Sequence, residues 1–220
     1  MNPPFTAADF LAVFAAYNAA IWPVQIAAYA LGLLAVAAIS VPRRGLMRSA
    51  FAALSMLWAF TGIGYHLLFF AAINPLAPAF AAFFVLQAIL LLASAIRPGD
   101  LHLRFEQDAR SIAGLITLVY ALAIYPVLGI WAGHGGMAGP VFGVAPCPTT
   151  IFTIGLLLFA RGRWVIWLSV IPIMWSLIGL AAAIQLGILE DLAMPLAGAV
   201  LVGTLAAQSR ASRHRQPSQS

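Results

Sequence analysis

The feature that most constrains this chain is an alternation. Long apolar runs are separated by short joints, and arginine occurs only at every second joint. Runs of roughly 20 apolar residues match the span of an α-helix across a bilayer of about 30 Å. Seven such runs are read, at about 17–41, 49–73, 78–96, 111–133, 148–160, 164–187 and 191–208. Arg43, Arg44 and Arg48 follow the first run, and Arg97, Arg104 and Arg110 follow the third. Arg161 and Arg163 follow the fifth, and Arg210, Arg213 and Arg215 follow the seventh. Positive charge collects on the cytoplasmic side of a membrane domain, so the expected topology has the N-terminus outside and the C-terminus cytoplasmic. The other side carries Asp9, Glu190 and Asp191. The fold class expected is therefore all-α, a polytopic protein of seven transmembrane helices. Its expected location is the inner membrane of a bacterium, and its first partner is the lipid bilayer.

Composition agrees with this reading and excludes several functions. Hydrophobic residues make up 63% of the chain and charged residues 8%. The arginines are spread over four joints, which is no nucleic-acid footprint, and no nucleic-acid partner is expected. The chain has no lysine, so a covalent retinal or any other lysine Schiff base is excluded. One cysteine rules out an internal disulfide and every Cys-Cys metal motif. The opening MNPPFTAADF lacks a positive leader, and no cleaved signal peptide is expected.

The ends have their own signals. Thr6 to Asp9 has the spacing of a capping box, which predicts a short interfacial helix over 6–16 ahead of the first span, with Pro23 as a kink. The domain is expected to occupy residues 1–208. The basic stretch 209–220 is expected to be a disordered cytoplasmic tail. The arginine-rich loop between Arg97 and Arg110 also holds acids and is expected to be a solvated cap. NPLAPAF and MPLAGAV, near the starts of the third and seventh runs, hint at a parallel repeat of three spans around a central one.

The fifth run is the irregular one. AGHGGMAGPVFGVAPCPTT is rich in Gly and Pro and is not expected to be regular helix. Helix restarts at Pro148, a favoured first-turn residue, and stops near Arg161. That leaves about 13 residues, or roughly 20 Å. The fifth span is thus expected to be short and broken at Pro146, Cys147 and Pro148. Its N-terminal end would point into the membrane, where it favours anions or a thiolate.

A count of about 1.5 Å per residue from the arginine side puts several polar groups in one layer. Cys147 falls at about 20 Å, Tyr125 at about 21, Tyr65 and Gln25 at about 24 and His66 at about 25. Gln87 and Trp175 fall at about 14–16 Å on the same scale, and Asn18, Trp22 and Asn74 lie nearer the outer rim. Polar residues inside spans are costly and mark functional sites. The ligand-binding candidates are therefore His66, Cys147, Gln25, Tyr65, Tyr125, Asn18, Trp22, Asn74, Gln87 and Trp175. Bland readings stand beside these. Gln25 and Gln87 can simply bond neighbouring helices, and Trp22 can belong to an aromatic belt.

YNAAIWPVQ, GYHLLFFAAINPLAPAF, FVLQAILLL and VFGVAPCPTTIFTIGLLL resemble phrases of a family of bacterial integral-membrane proteins. It is the domain-of-unknown-function family numbered six-zero-six-four. The resemblance runs from about Tyr17 to Gly187 and implies no particular chemistry.

Three functional classes fit the residues. The first is transport or binding of a small solute in an outward-facing polar pocket. Without an Asp or Glu inside a span, carboxylate-based ion coupling is not expected. The second is a soft-metal or thiol site on Cys147 and His66, the candidate ligands where no full metal motif is read, with a thiol enzyme as its catalytic variant. The third is a non-catalytic sensor or scaffold. An enzyme is the less favoured outcome, no cofactor is named, and a homo-oligomer is left open.

Overall fold

A computed structural model describes residues 5–214. Its first helix starts where the local signals put it. The Thr6 hydroxyl accepts the Asp9 amide, and the Asp9 carboxylate accepts the Thr6 amide, which closes the capping box of α1 (Ala7–Ile21). Pro23 has no N–H to continue the ladder, and α2 (Val24–Ser40) leaves at 88° to α1. The proline kink is thus a right-angle break. α1 is longer than the helix expected over 6–16, and residues 17–21 belong to it rather than to α2.

α3 (Arg44–Phe60) runs on as a π-helical stretch, Thr61–Phe69, and a short 3-10 turn, Phe70–Ala72. It packs antiparallel to α4 (Ala77–Ile96). Ser55 donates to the Ala88 carbonyl at 2.8 Å, and Gly62 backs onto Phe84, where a Cβ would meet the Phe84 Cβ at 2.9 Å. The Arg97–Arg110 loop is more ordered than a solvated cap. Its β1 (His102–Leu103) pairs antiparallel with β2 (Ala160–Arg161), and Arg161 bridges to Glu106 at 2.6 Å.

α5 (Ala109–Val119) is capped by Asp108, whose carboxylate accepts the Ser111 amide at 2.8 Å. It continues through a second π-helical stretch, Tyr120–Ile124, into α6 (Tyr125–Trp131). Then comes α7 (Pro146–Leu157), short as expected but opening at Pro146 instead of Pro148. All its residues are buried. Non-helical backbone and a truncated helix are tolerated at membrane depth only inside protein, and α7 meets that condition. Arg110 donates to the Leu157 and Ala160 carbonyls at 3.1 and 2.8 Å, satisfying the end of α7.

α8 (Trp164–Leu186) ends on Gly187, whose φ of +72° is the left-handed conformation that closes a helix. A 3-10 turn, Leu189–Leu192, leads into α9 (Ala193–His214). Helix therefore continues into the stretch expected to be a disordered tail, and residues 215–220 of that stretch lie outside the described residues.

Apart from the β1–β2 pair the described chain is all-α. Five helices are long and apolar enough to cross a membrane: Arg44–Ala72, Ala77–Ile96, Ala109–Trp131, Trp164–Leu186 and Leu189–Gln208. The α1–α2 pair would make a sixth.

Candidate functional site

The two π-helical stretches carry residues that matter. An extra residue per turn re-aims the side chains that follow it, and such stretches are frequent at functional sites. In the first, Tyr65 and His66 are consecutive and both fully buried. Tyr65 stacks on Phe14 and Phe70, with ring centroids 4.5 and 5.3 Å apart. The His66 ring sits among Phe84, Trp175 and Phe80 at 4.8, 5.3 and 5.8 Å. Both His66 ring nitrogens and the Tyr65 hydroxyl are buried without a hydrogen-bond partner.

Cys147 lies in the first turn of α7, between two prolines. Prolines have no N–H, so of the first three residues of α7 only Cys147 offers a backbone donor. This end is poorer in donors than an ordinary helix N-terminus, and it favours an anion or thiolate less than the sequence reading expected. The thiol lies beside the Asp191 carboxyl and the Trp175 indole. It makes no hydrogen bond to His66, whose two nitrogens are unpartnered.

Asp191 is the residue that sequence reasoning missed. The sequence places Glu190 and Asp191 at an outer joint, with no carboxylate inside a span. Both are only 2% exposed. The 3-10 turn folds them inward while Gly187 and Leu189 beside them stay exposed. Asp191 Oδ1 accepts the Tyr125 hydroxyl at 2.6 Å. Glu190 lies 3.4 Å from His134 Nδ1, and its backbone carbonyl accepts the Tyr120 hydroxyl at 2.7 Å. Adjacent acids beside a helix-capping glycine read as a solvated turn, and the only signal against that was the brevity of the joint.

A cavity of about 390 Å³ gathers these groups. Tyr65, His66, Asn74, Cys147, Trp175 and Asp191 line it, with Phe5, Phe10, Phe70 and Phe80 among its walls. A smaller cavity of about 120 Å³ is lined by Tyr125, His134 and Glu190. Tyr125 joins the two, because it lines the small cavity and bonds the carboxylate of the large one. A wider opening, about 680 Å³, is at the arginine-bearing end beside Arg43, Arg44 and Arg104 and contains no candidate residue.

Five of the candidates thus share one cavity: Tyr65, His66, Asn74, Cys147 and Trp175. Tyr125 reaches it through Asp191. The remaining four have structural positions elsewhere. Asn18 donates to the Met137 and Gly139 carbonyls at 2.9 and 2.8 Å, and Gln25 donates to the Asn18 carbonyl at 3.0 Å. Together they pin the Gly-rich loop to α1 and α2. Trp22, 61% exposed, stands at the α1–α2 break. Gln87 bonds the Leu168 carbonyl of α8 at 3.0 Å. Among the described residues no group of three or more His, Cys, Asp or Glu is arranged to hold a metal ion.

The arrangement can bind. It offers rings for an apolar body and several unsatisfied donors and acceptors for a polar group. No curated protein and no solved structure matches the chain. A family model does, over residues 7–216, and the chain belongs to that family, the Family of unknown function (DUF6064).

Proposed function

We propose that the protein binds a small organic solute in the 390 Å³ cavity, as a carrier or receptor in a membrane. The observation that carries this reading is the set of unpartnered polar atoms on Tyr65 and His66, both residues lining one cavity. Buried polar groups are nearly always hydrogen-bonded, and a ligand would supply the missing partners. The cavity volume falls within the roughly 300–1,000 Å³ range of small-molecule sites.

The topology proposed with it has seven membrane helices. α2 is the first span, and α7 is a short fifth span enclosed by its neighbours. The arginine-bearing joints face the cytoplasm and the cavity opens on the outer side, consistent with the positive-inside bias.

Cys147, the single thiol, makes the test direct. A small membrane-impermeant methanethiosulfonate reagent added to intact cells is expected to modify Cys147 in the folded protein from the outer side. Modification only after denaturation would mean that the cavity is closed to solutes and would overturn the reading. Modification from the cytoplasmic side alone would overturn the topology.

A further inference from the structure

We propose that the solute is an organic ammonium ion, with Asp191 as its counter-ion and the aromatic wall around its cationic centre. The proposal rests on reading the 390 Å³ cavity as a ligand site. A buried carboxylate without a counter-charge is costly, and Asp191 is in that position. It is 2% exposed. Its neighbours are a hydroxyl, from Tyr125, and a thiol, from Cys147, both neutral donors. Among the described residues no arginine or histidine forms an ion pair with it, whereas the adjacent Glu190 has His134 at 3.4 Å. Asp191 is thus a buried carboxyl with no ion pair, and a cation beside it would offset the cost of ionising it.

The walls favour the same sign. Among the described residues no arginine lines the cavity, so an anionic ligand would face a carboxyl group and find no cation there. Rings do line it. Phe80 and Trp175 meet edge to face with centroids 5.2 Å apart, and Tyr65 and His66 sit alongside. Aromatic faces attract ammonium groups, most strongly where water is excluded. The unpartnered His66 ring nitrogens add hydrogen-bonding capacity for a polar group of the ligand.

The test is calorimetry on the purified full chain in detergent, corrected against empty micelles, with three probes. They are phenyltrimethylammonium, its uncharged isostere tert-butylbenzene, and benzoate. The ammonium is expected to bind about tenfold or more tighter than the hydrocarbon, the scale of a desolvated cation–π contact plus a charge pair. Benzoate is expected not to bind. Asp191→Asn should erase the preference for charge while leaving hydrocarbon binding intact. Phe80→Leu, which keeps the carboxylate, should weaken the ammonium several-fold and serves if the first variant does not fold. Equal affinity for ammonium and hydrocarbon, or an ammonium preference that survives Asp191→Asn, overturns the proposal. If benzoate or tert-butylbenzene protects Cys147 from N-ethylmaleimide and the ammonium does not, the cation class falls while the ligand cavity stands. If no probe protects Cys147, the cation class falls as well.

Discussion

Gln87 of α4 donates its side-chain amide to the carbonyl of Leu168 in α8, 3.0 Å away. That carbonyl lies four residues before Pro172, inside α8. Proline has no N–H and cannot bond the carbonyl at i−4, so Gln87 supplies the donor that Pro172 withholds. Gln87→Leu is expected to cost about 1–3 kcal/mol, the penalty of an unsatisfied buried acceptor. Pro172→Ala made in the Gln87→Leu background should recover most of the loss by restoring the helical N–H. Unfolding of the parent and both variants in detergent measures this. No recovery in the double variant would mean that Gln87 acts elsewhere.

The Tyr125 hydroxyl bonds Asp191 at 2.6 Å, out of water. Tyr125→Phe is expected to destabilise by about 1–3 kcal/mol, the penalty of leaving a buried partner unsatisfied. The loss should be much smaller in an Asp191→Asn background. A double-mutant cycle by thermal unfolding reads the coupling, and additive losses would contradict the pairing.

Gly143 holds the loop before α7 in place. Its φ is +79°, and a Cβ there would sit 2.6 Å from the Ala28 Cβ of α2. Gly143→Ala combines left-handed backbone strain with overpacking, and about 2–4 kcal/mol of destabilisation is expected. A thermal transition within a degree of the parent would refute this account of the loop.

Asp108 lies outside the spans, and its acid strength is set locally. The Ser111 backbone amide, with smaller help from Arg161 and Arg110, holds its carboxyl below the ordinary value of 3.8. A carboxyl depressed by folding contributes stability above its unfolded pKa and loses it as pH falls through the folded value. Asp108→Ala should therefore lower stability at pH 7 and matter progressively less below the ordinary carboxylate range. Unfolding of both proteins across that interval checks the sign, and a gap that widens in acid would reverse it.

The legible parts of this protein were those with a local cause. Thr6 and Asp9 cap α1 because both partners lie within one turn. Pro23 breaks the chain because its ring removes a donor at a known position. Tyr65, His66, Asn74, Cys147 and Trp175 stood out because a polar group in an apolar run is expensive wherever it ends up. Asn18, Gln25 and Gln87 stood out for the same reason, yet they serve to bond freed or irregular backbone. Periodicity finds a polar residue without telling whether its partner is a ligand or a carbonyl.

By itself, then, the sequence determined an all-α chain of membrane-length apolar helices with one short, proline-opened helix, since hydropathy, charge order and proline act through the nearest few residues. Tertiary structure alone decided the rest. It buried every residue of α7. It also folded Asp191 inward against Tyr125 and Cys147, and set Gln87 against the carbonyl that Pro172 freed. Each of these joins residues far apart in the chain, and the energy of such a contact exists only once separate helices have packed.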